Sequence, residues 1–304
     1  MKFLKGLAIS VLSLLLFFSL SIFGTAFMLN QTLLNPDFVV SELNRLDMSS
    51  LAKETVIKQI APQISQQLPQ AGGAIEKVLD DTADDLVPWA REQLSIITYA
   101  TYDYLFGKSS SLAPVISLRP VQDSLKSNLR EAILQSPPPE LAAVPPAMIE
   151  QFVSIIEKQV TQVIPDTFDL GEVLLSPEVR DTLSQVRQGL SYFQIAYQAL
   201  MGFMLLLILC IFLISRRVKG TSRSLGTTFL TVGVLGYAGI FAAQYFMAAQ
   251  IGVLGMPSAV AAWLPQFLNN LWAPLQTFNI AVAAAGLVLV IVSIVYRREP
   301  ADAD

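Results

Sequence analysis

The sequence predicts an all-α membrane protein with four transmembrane helices and a helical domain inserted between the first and the second. Residues 224–296 form a run of 73 positions without Asp, Glu, Lys or Arg. Two further uncharged apolar runs, 6–29 and 189–215, lie earlier in the chain. Between them, apolar residues recur at helical rather than strand-like spacing. A soluble surface of such length would carry charges, so these runs are typical of membrane spans.

Four segments are long enough to cross a hydrocarbon core of about 30 Å, which takes roughly 20 helical residues. They are residues 6–29, 195–215, 225–250 and 275–296. Each should be helical, because a helix satisfies its backbone groups within one segment. The first run is about twice the length of a signal-peptide core, and no polar stretch precedes the small residues Gly24 and Ala26. We therefore expect an uncleaved anchor.

Basic residues predict the orientation of the spans. Lys2 and Lys5 precede the first span, four basic residues fill the link 216–223, and Arg297 and Arg298 follow the fourth span. Short basic segments lie in the cytoplasm, so both termini and this link are predicted there, in the cell membrane of a prokaryote. Residues 30–188 are then extracytoplasmic. They carry 12 basic and 21 acidic residues, a net charge of −9, against +5 for the rest of the chain.

These features divide the chain into four parts. An N-terminal anchor occupies residues 1–29, and an extracytoplasmic helical domain follows at 30–188. The second span, 189–218, is expected to continue from a helical stalk that begins at residue 177. Residues 219–304 hold the last two spans and a short cytoplasmic tail.

Proline and capping residues predict the helices of the extracytoplasmic domain. Asn35-Pro36-Asp37 and Ser176-Pro177-Glu178 each place a capping side chain before a proline and an acid near the positive helix end. The predicted helices cover 36–46, 49–67, 74–106 (restarting at Pro88), 119–135, 146–163 and 177–218.

Two of these helices carry apolar stripes that predict a buried core. The first stripe consists of Leu118, Val121, Leu125, Leu129 and Ile133, and the second of Met148, Phe152, Ile155, Ile156 and Val163.

The residue inventory favours a protein without catalytic chemistry. The chain has no histidine, the commonest general base and transition-metal ligand, and its one cysteine, Cys210, lies within the second span. We therefore expect no cofactor and no enzyme activity. The acidic outer domain argues against nucleic acid as a partner. The spans hold no ionisable residue, only polar ones such as Gln244 and Asn279, which argues against a charge-coupled transporter.

An acidic cluster is the strongest candidate for a metal site. Asp80, Asp81, Asp84 and Asp85 form two pairs one helical turn apart. Over six residues the cluster resembles the Asp-Asp-x-x-Asp motif of prenyl-diphosphate enzymes, which implies magnesium bound against a diphosphate. On a helical wheel the four aspartates lie opposite the apolar face. A solvated acidic surface is therefore the favoured interpretation, with a weak calcium or magnesium site and catalysis as alternatives.

Small residues on the third span predict close helix packing. Gly233, Gly236 and Gly239 recur every three residues, and Ala243 follows one turn after the last. Packing against the other spans is the favoured role, with a homo-oligomer contact or a lipid groove as alternatives.

The apolar link 251–274 contains three prolines together with Trp263 and Trp272. It predicts an interfacial or re-entrant segment with both tryptophans at headgroup level, or a docking surface for a partner.

Taken together, these patterns favour a non-enzymatic membrane protein whose outer helical domain binds another protein or assembles an envelope complex. The partner is another protein or a second copy of this chain. Membrane lipids surround its spans. A transporter or lipid-handling component is the alternative, and a metal-dependent prenyl or lipid enzyme a weaker one.

Overall fold

The computed structural model describes residues 2–54, 72–112, 114–135, 164–169, 177–215, 218–251 and 256–295, with 145, 148–151, 153–155 and 158 between them. The elements in chain order are α1 (Lys2–Gln31), α2 (Pro36–Arg45), α3 (Met48–Ala52), α4 (Gly72–Asp85), α5 (Val87–Leu105), β1 (Val115–Ser117), α6 (Arg119–Gln135), β2 (Thr167–Asp169), α7 (Pro177–Ser215), α8 (Val218–Ile251) and α9 (Ser258–Val295).

Among the described residues, four helices are long and apolar enough to cross a membrane. They are Phe3–Gln31, Asp181–Ser215, Lys219–Met247 and Ser258–Val295. The prediction of four such helices in an all-α chain is confirmed, and the molecule fits a multi-pass membrane protein.

The fourth of these helices begins earlier than the sequence predicts. We expected residues 251–274 to be an interfacial or re-entrant segment or a docking surface, and the span to start near Leu275. Instead α9 begins at Ser258 and runs through Pro265 and Pro274. Long apolar helices tolerate internal proline because neighbouring groups can satisfy the freed carbonyls. From Ser258 onward, the expected re-entrant segment is therefore an ordinary helix.

The chain divides into two compact units, and several helices begin in one and end in the other. Unit 1 consists of Met1–Phe38, Gly189–Leu254 and Pro265–Asp304. Its core is formed by apolar side chains from α1, α7 and α8, joined by Phe278, Val282 and Leu289 of α9. The fully buried members include Leu16 and Ile211. The hydroxyls of Ser13 and Ser224 lie 2.7 Å apart, so one polar contact accompanies the apolar packing between α1 and α8.

Unit 2 consists of Val39–Gln188 and Gly255–Leu264. Within it α4 packs along α6, burying Val78 and Ile133. The prediction for α6 is confirmed at both ends, and α4 and α5 are separated at Leu86, with Pro88 in the first turn of α5. Asn35 accepts a hydrogen bond from the backbone of Asp37 at 3.0 Å, as its predicted capping role requires. The predicted continuation of α3 to residue 67 lies largely outside the described residues.

A short antiparallel sheet departs from the expected absence of strands. Val115, Ile116 and Ser117 of β1 pair with Asp169, Phe168 and Thr167 of β2. Sequence periodicity could not reveal these strands, because each has three residues and the two are about fifty positions apart. Gln122 of α6 holds the segment before β2, donating to the backbone oxygen of Ile164 at 2.7 Å.

Candidate functional site

The predicted acidic cluster binds neighbouring helices rather than facing only solvent. Lys53, next to α3, lies 3.4 Å from Asp80 and 2.9 Å from Asp84. Ser49 also donates to Asp84. The bonds from Ser49 and Lys53 lower the pKa of Asp84. Both carboxylates stay about half exposed, so the expected solvated acidic surface also makes contacts with a neighbouring helix.

The other two aspartates of the cluster lie in different environments. Asp85 accepts hydrogen bonds from Ser124 at 3.1 Å and from Asn128 at 3.0 Å, both on α6. Asp81 is exposed. The cluster thus joins α4 to α3 on one side and to α6 on the other. In the described part of the chain, no group of three or more His, Cys, Asp or Glu is arranged to hold a metal ion.

Two of the predicted small residues lie where α8 meets α9. A Cβ at Gly233 would lie 2.5 Å from the backbone oxygen of Asn279 and 2.6 Å from the backbone nitrogen of Ala283. A Cβ at Gly236 would collide with the side chain of Asn279. Only glycine allows so close an approach at these two positions.

The same contact uses two glycines that the sequence analysis did not single out. A Cβ at Gly226 would lie 2.9 Å from the backbone nitrogen of Val290, and one at Gly286 would meet the backbone of Leu230. We call the contact made by Gly226, Gly233, Gly236 and Gly286 the glycine seam. Its signal in the sequence is a spacing of seven residues, from Gly226 to Gly233 and from Asn279 to Gly286.

The remaining small residues of the predicted set take no part in the seam. A Cβ at Gly239 would have no heavy atom of the described residues within 4 Å. Ala243, one turn later, is half-buried. The expected packing role is therefore wrong for Gly239 among the described residues, because the three residues after Gly236 rotate it away from α9, and for Ala243 it stays a prediction.

A groove of about 520 Å³ opens beside the glycine seam. Its floor includes Gly233 and Asn279, and its walls include Leu230, Val234 and Tyr237 of α8 and Ile280, Ala284 and Leu287 of α9. The walls are apolar, and Tyr237 contributes its ring to them. Asn279 is 3% exposed, yet within the described residues its amide makes no hydrogen bond. The groove is thus apolar, with one buried amide at its floor.

Trp263 belongs to unit 2, where α9 begins. Its indole nitrogen donates to the backbone oxygen of Glu42 at 2.9 Å. Glu54 accepts from the backbone nitrogen and the hydroxyl of Ser258, at 2.7 and 2.8 Å, which places a carboxylate at the positive end of α9. Residues of this chain therefore occupy part of the surface that the sequence offered as a docking site.

Trp272 lies in unit 1, further along α9. Its indole nitrogen is buried and finds no acceptor in the portion of the chain that the structure describes. The predicted interfacial role of Trp263 and Trp272 stays a prediction.

One apolar stripe of unit 2 faces outward. Residues 148–151, 153–155 and 158 are helical. Met148 is 58% exposed and Ile155 is 56% exposed, whereas Val153, on the opposite side of the helix, is 1% exposed. The prediction that Met148 and Ile155 face the core is wrong. The other members, Phe152, Ile156 and Val163, lie outside the described residues.

An ion pair accompanies the orientation of this helix, in which Val153 is buried and the stripe is exposed. Arg130 of α6 donates to both carboxylate oxygens of Glu150, at 2.8 and 2.6 Å. Both bonds come from one guanidinium nitrogen, and both side chains are about half exposed. We call Met148 and Ile155 the outward stripe.

No protein-family model matches this chain, and no curated protein or solved structure matches it either.

Proposed function

We propose that this chain is a non-enzymatic membrane protein whose unit 2 binds another protein and assembles a complex at the outer face of a prokaryotic cell membrane. In this proposal the four apolar helices are the anchor, both termini are cytoplasmic, and residues 30–188 are extracytoplasmic. The basic residues at the predicted cytoplasmic ends support this orientation.

The outward stripe is the observation that carries the proposal. Exposed apolar side chains on a helix outside the spans lose the free energy of burial unless something covers them, about 25 cal/mol for each Å². Met148 and Ile155 are seven residues apart, so they lie on one face and can enter a single partner groove. Methionine also adapts its shape to different partners, which suits a binding surface.

The net charge of −9 over residues 30–188 indicates the chemistry of the partner surface. An acidic domain favours partners with basic patches, and the charges steer their encounter. We therefore propose an apolar groove rimmed by lysine or arginine as the surface that receives the outward stripe.

Site-specific photo-crosslinking in intact cells tests the proposal. A benzophenone amino acid is placed at Met148 or Ile155, and at Asp123, which is exposed on α6, as the control. We expect a discrete adduct from the first two positions and none from Asp123. Equal yields at all three positions, or no adduct from Met148 and Ile155, would overturn the proposal.

A salt series distinguishes the two parts of the proposed surface. Raising the ionic strength from 0.05 M to 1 M shortens the Debye length from above 10 Å to about 3 Å. The initial rate of adduct formation at Met148 should fall, because steering is screened, while the adduct at saturation should persist. A rate independent of salt would remove the charged rim from the proposal.

A further inference from the structure

Two residues that line the groove between α8 and α9 in unit 1 each carry a polar group without a hydrogen bond among the described residues. One is the amide of Asn279, buried at the floor of the groove. The other is the hydroxyl of Tyr237, whose side chain forms part of the groove wall and is 48% exposed. Neither group makes a hydrogen bond within the described residues.

Both groups lie far from the charged ends of these helices. The hydroxyl of Ser293 donates to the backbone oxygen of Lys219 at 3.2 Å, which marks where α8 and α9 meet the basic link. Asn279 precedes Ser293 by 14 residues, a rise of about 21 Å. If α8 and α9 span a bilayer as proposed, the amide lies inside a hydrocarbon core of about 30 Å.

Lipid tails cannot satisfy these groups at that depth. An acyl chain fills an apolar groove but offers neither a donor nor an acceptor, so the amide would stay unsatisfied at a cost in free energy. A transmembrane helix supplies both apolar side chains and polar groups, and such hydrogen bonds join helices in membranes. The groove therefore fits a polypeptide better than a lipid.

The chain itself carries a side chain with the required properties. Because Gly236 touches Asn279, the adjacent Tyr237 lies at the same depth as the amide. Its ring is apolar enough to enter the groove, and its hydroxyl can donate to the amide oxygen. In a two-fold pair whose axis is normal to the membrane, each copy offers Tyr237 at the depth where the other offers Asn279.

We propose that a second copy of this chain packs against the groove, with Tyr237 of each copy inserted into the groove of the other and hydrogen-bonded to Asn279. The small side chains of the groove, Gly233 and Ala284, let the two α8 helices approach. This contact involves a different surface from the outward stripe, so either proposal can fail without the other.

A double-mutant cycle on the full-length protein tests the pairing. Dimerisation is measured by single-molecule photobleaching in liposomes of phosphatidylethanolamine and phosphatidylglycerol, over a series of protein-to-lipid ratios. The symmetric pair contains this hydrogen bond twice, so Tyr237→Phe and Asn279→Val should each weaken dimerisation by about 8- to 300-fold, the effect of losing two hydrogen bonds between membrane helices. The double variant should dimerise as strongly as the single variant with the lower dimer affinity, because both variants remove the same hydrogen bonds. Tyr245→Phe, which removes an exposed hydroxyl two turns away on α8, is the control and should have no effect.

A second pair of variants tests the groove without touching the buried amide. Ala284 and Ala285 are adjacent and both exposed on α9, but only Ala284 lines the groove. Ala284→Phe should fill the groove and abolish dimerisation, whereas Ala285→Phe should leave it unchanged. The proposal would be overturned if the unmodified protein stays monomeric at every protein-to-lipid ratio, with or without bound lipid. It would also be overturned if the Tyr237 and Asn279 variants weaken dimerisation additively, or if the two alanine variants weaken it equally.

Discussion

In unit 1 the helices approach until a glycine backbone lies against a neighbouring backbone, whereas in unit 2 polar side chains reach from one helix to the next. Gly233 and Gly286 leave no room for a Cβ between α8 and α9. Between α4 and α6, by contrast, Asn128 donates to both Asp85 and Thr82. Helices in lipid gain little from burying apolar area, so close packing stabilises them, while helices in water can combine apolar burial with exposed polar contacts.

The difference predicts how each unit responds to mutation. Close backbone contacts cannot adjust to added volume, so substitutions in the glycine seam should have large effects. Half-exposed polar contacts in unit 2 compete with water, so the loss of any one of them should have a small effect.

The largest effect is expected from a bulky side chain in the glycine seam. Gly233→Leu would place a Cβ 2.5 Å from the backbone oxygen of Asn279, and the backbone would have to move. We expect a loss of about 3 kcal/mol, the upper part of the usual range for overpacking. Thermal unfolding in mild detergent measures it. Gly239→Leu is the matched control, since no described atom lies within 4 Å of its Cβ position. Equal losses of stability in the two variants would contradict the claim that the close contact at Gly233 causes the effect.

A smaller effect is expected between α4 and α6. Asn128→Ala removes the bonds to Asp85 and Thr82. Because Thr82 is buried and Asp85 is exposed, we expect a loss of about 1 to 2 kcal/mol. Hydrogen exchange of the α4 and α6 amides in the full-length protein reports it locally. Ser127→Ala, an exposed neighbour on α6, controls for the higher helix propensity of alanine and should not accelerate the exchange. Equal acceleration in the two variants would contradict the role of Asn128.

A weaker effect is expected from the contact between Lys53 and the acidic cluster. Lys53→Met removes the charge but keeps most of the side chain, and the loss should stay below about 1 kcal/mol because both carboxylates are half exposed. Hydrogen exchange of the α3 amides should accelerate slightly. Adding 1 M salt to the unmodified protein should produce most of the same acceleration, because salt screens the contact. Lys77→Met on α4 controls for the removal of a nearby charge. Equal acceleration of exchange in that variant would show that net charge, rather than the contact of Lys53, causes the effect.

The smallest effect is a dependence of α3 stability on pH. Hydrogen bonds from Ser49 and Lys53 lower the pKa of Asp84, and hydrogen bonds from Ser50 lower the pKa of Asp47. A carboxylate with a lowered pKa in the folded state contributes stability above the unfolded value of 3.8, and that stability is lost as the pH falls below it. Protection of the α3 amides should therefore be constant from pH 7 to pH 5 and decline below about pH 4. A decline between pH 7 and pH 5 would contradict this assignment.

The sequence predicted the parts of the fold that depend on local pattern. The bounds of α6 follow from its apolar stripe, and the start of α2 follows from Asn35 and Pro36. The number of apolar helices follows from length and hydropathy alone.

Features that depend on contacts between distant residues could not be predicted in this way. The strands β1 and β2 are stabilised only by pairing with each other, so neither has a local signal. Periodicity placed Met148 and Ile155 on one face but could not reveal whether that face is covered, because burial depends on contacts with distant parts of the chain, such as the one between Arg130 and Glu150.

The candidate groove shows the same limit. Gly233 and Gly236 could be proposed from their spacing, but Asn279 and Gly286 gain their roles only through contact with α8. The importance of Asn279 lies in its burial without a hydrogen bond among the described residues, a property of the packed helices that no sequence motif encodes.

Topology labelling tests the central claim, that unit 2 faces outward from a membrane anchor. In a Cys210→Ser background, a single cysteine is introduced at Asp123 of α6 or at Lys219 at the start of α8, both exposed. A membrane-impermeant maleimide is then added to spheroplasts, with permeabilised spheroplasts as the reference. We predict that the Asp123→Cys variant is labelled in intact spheroplasts and the Lys219→Cys variant only after permeabilisation. Labelling of the Lys219→Cys variant in intact spheroplasts, with Asp123→Cys protected until permeabilisation, would contradict the account.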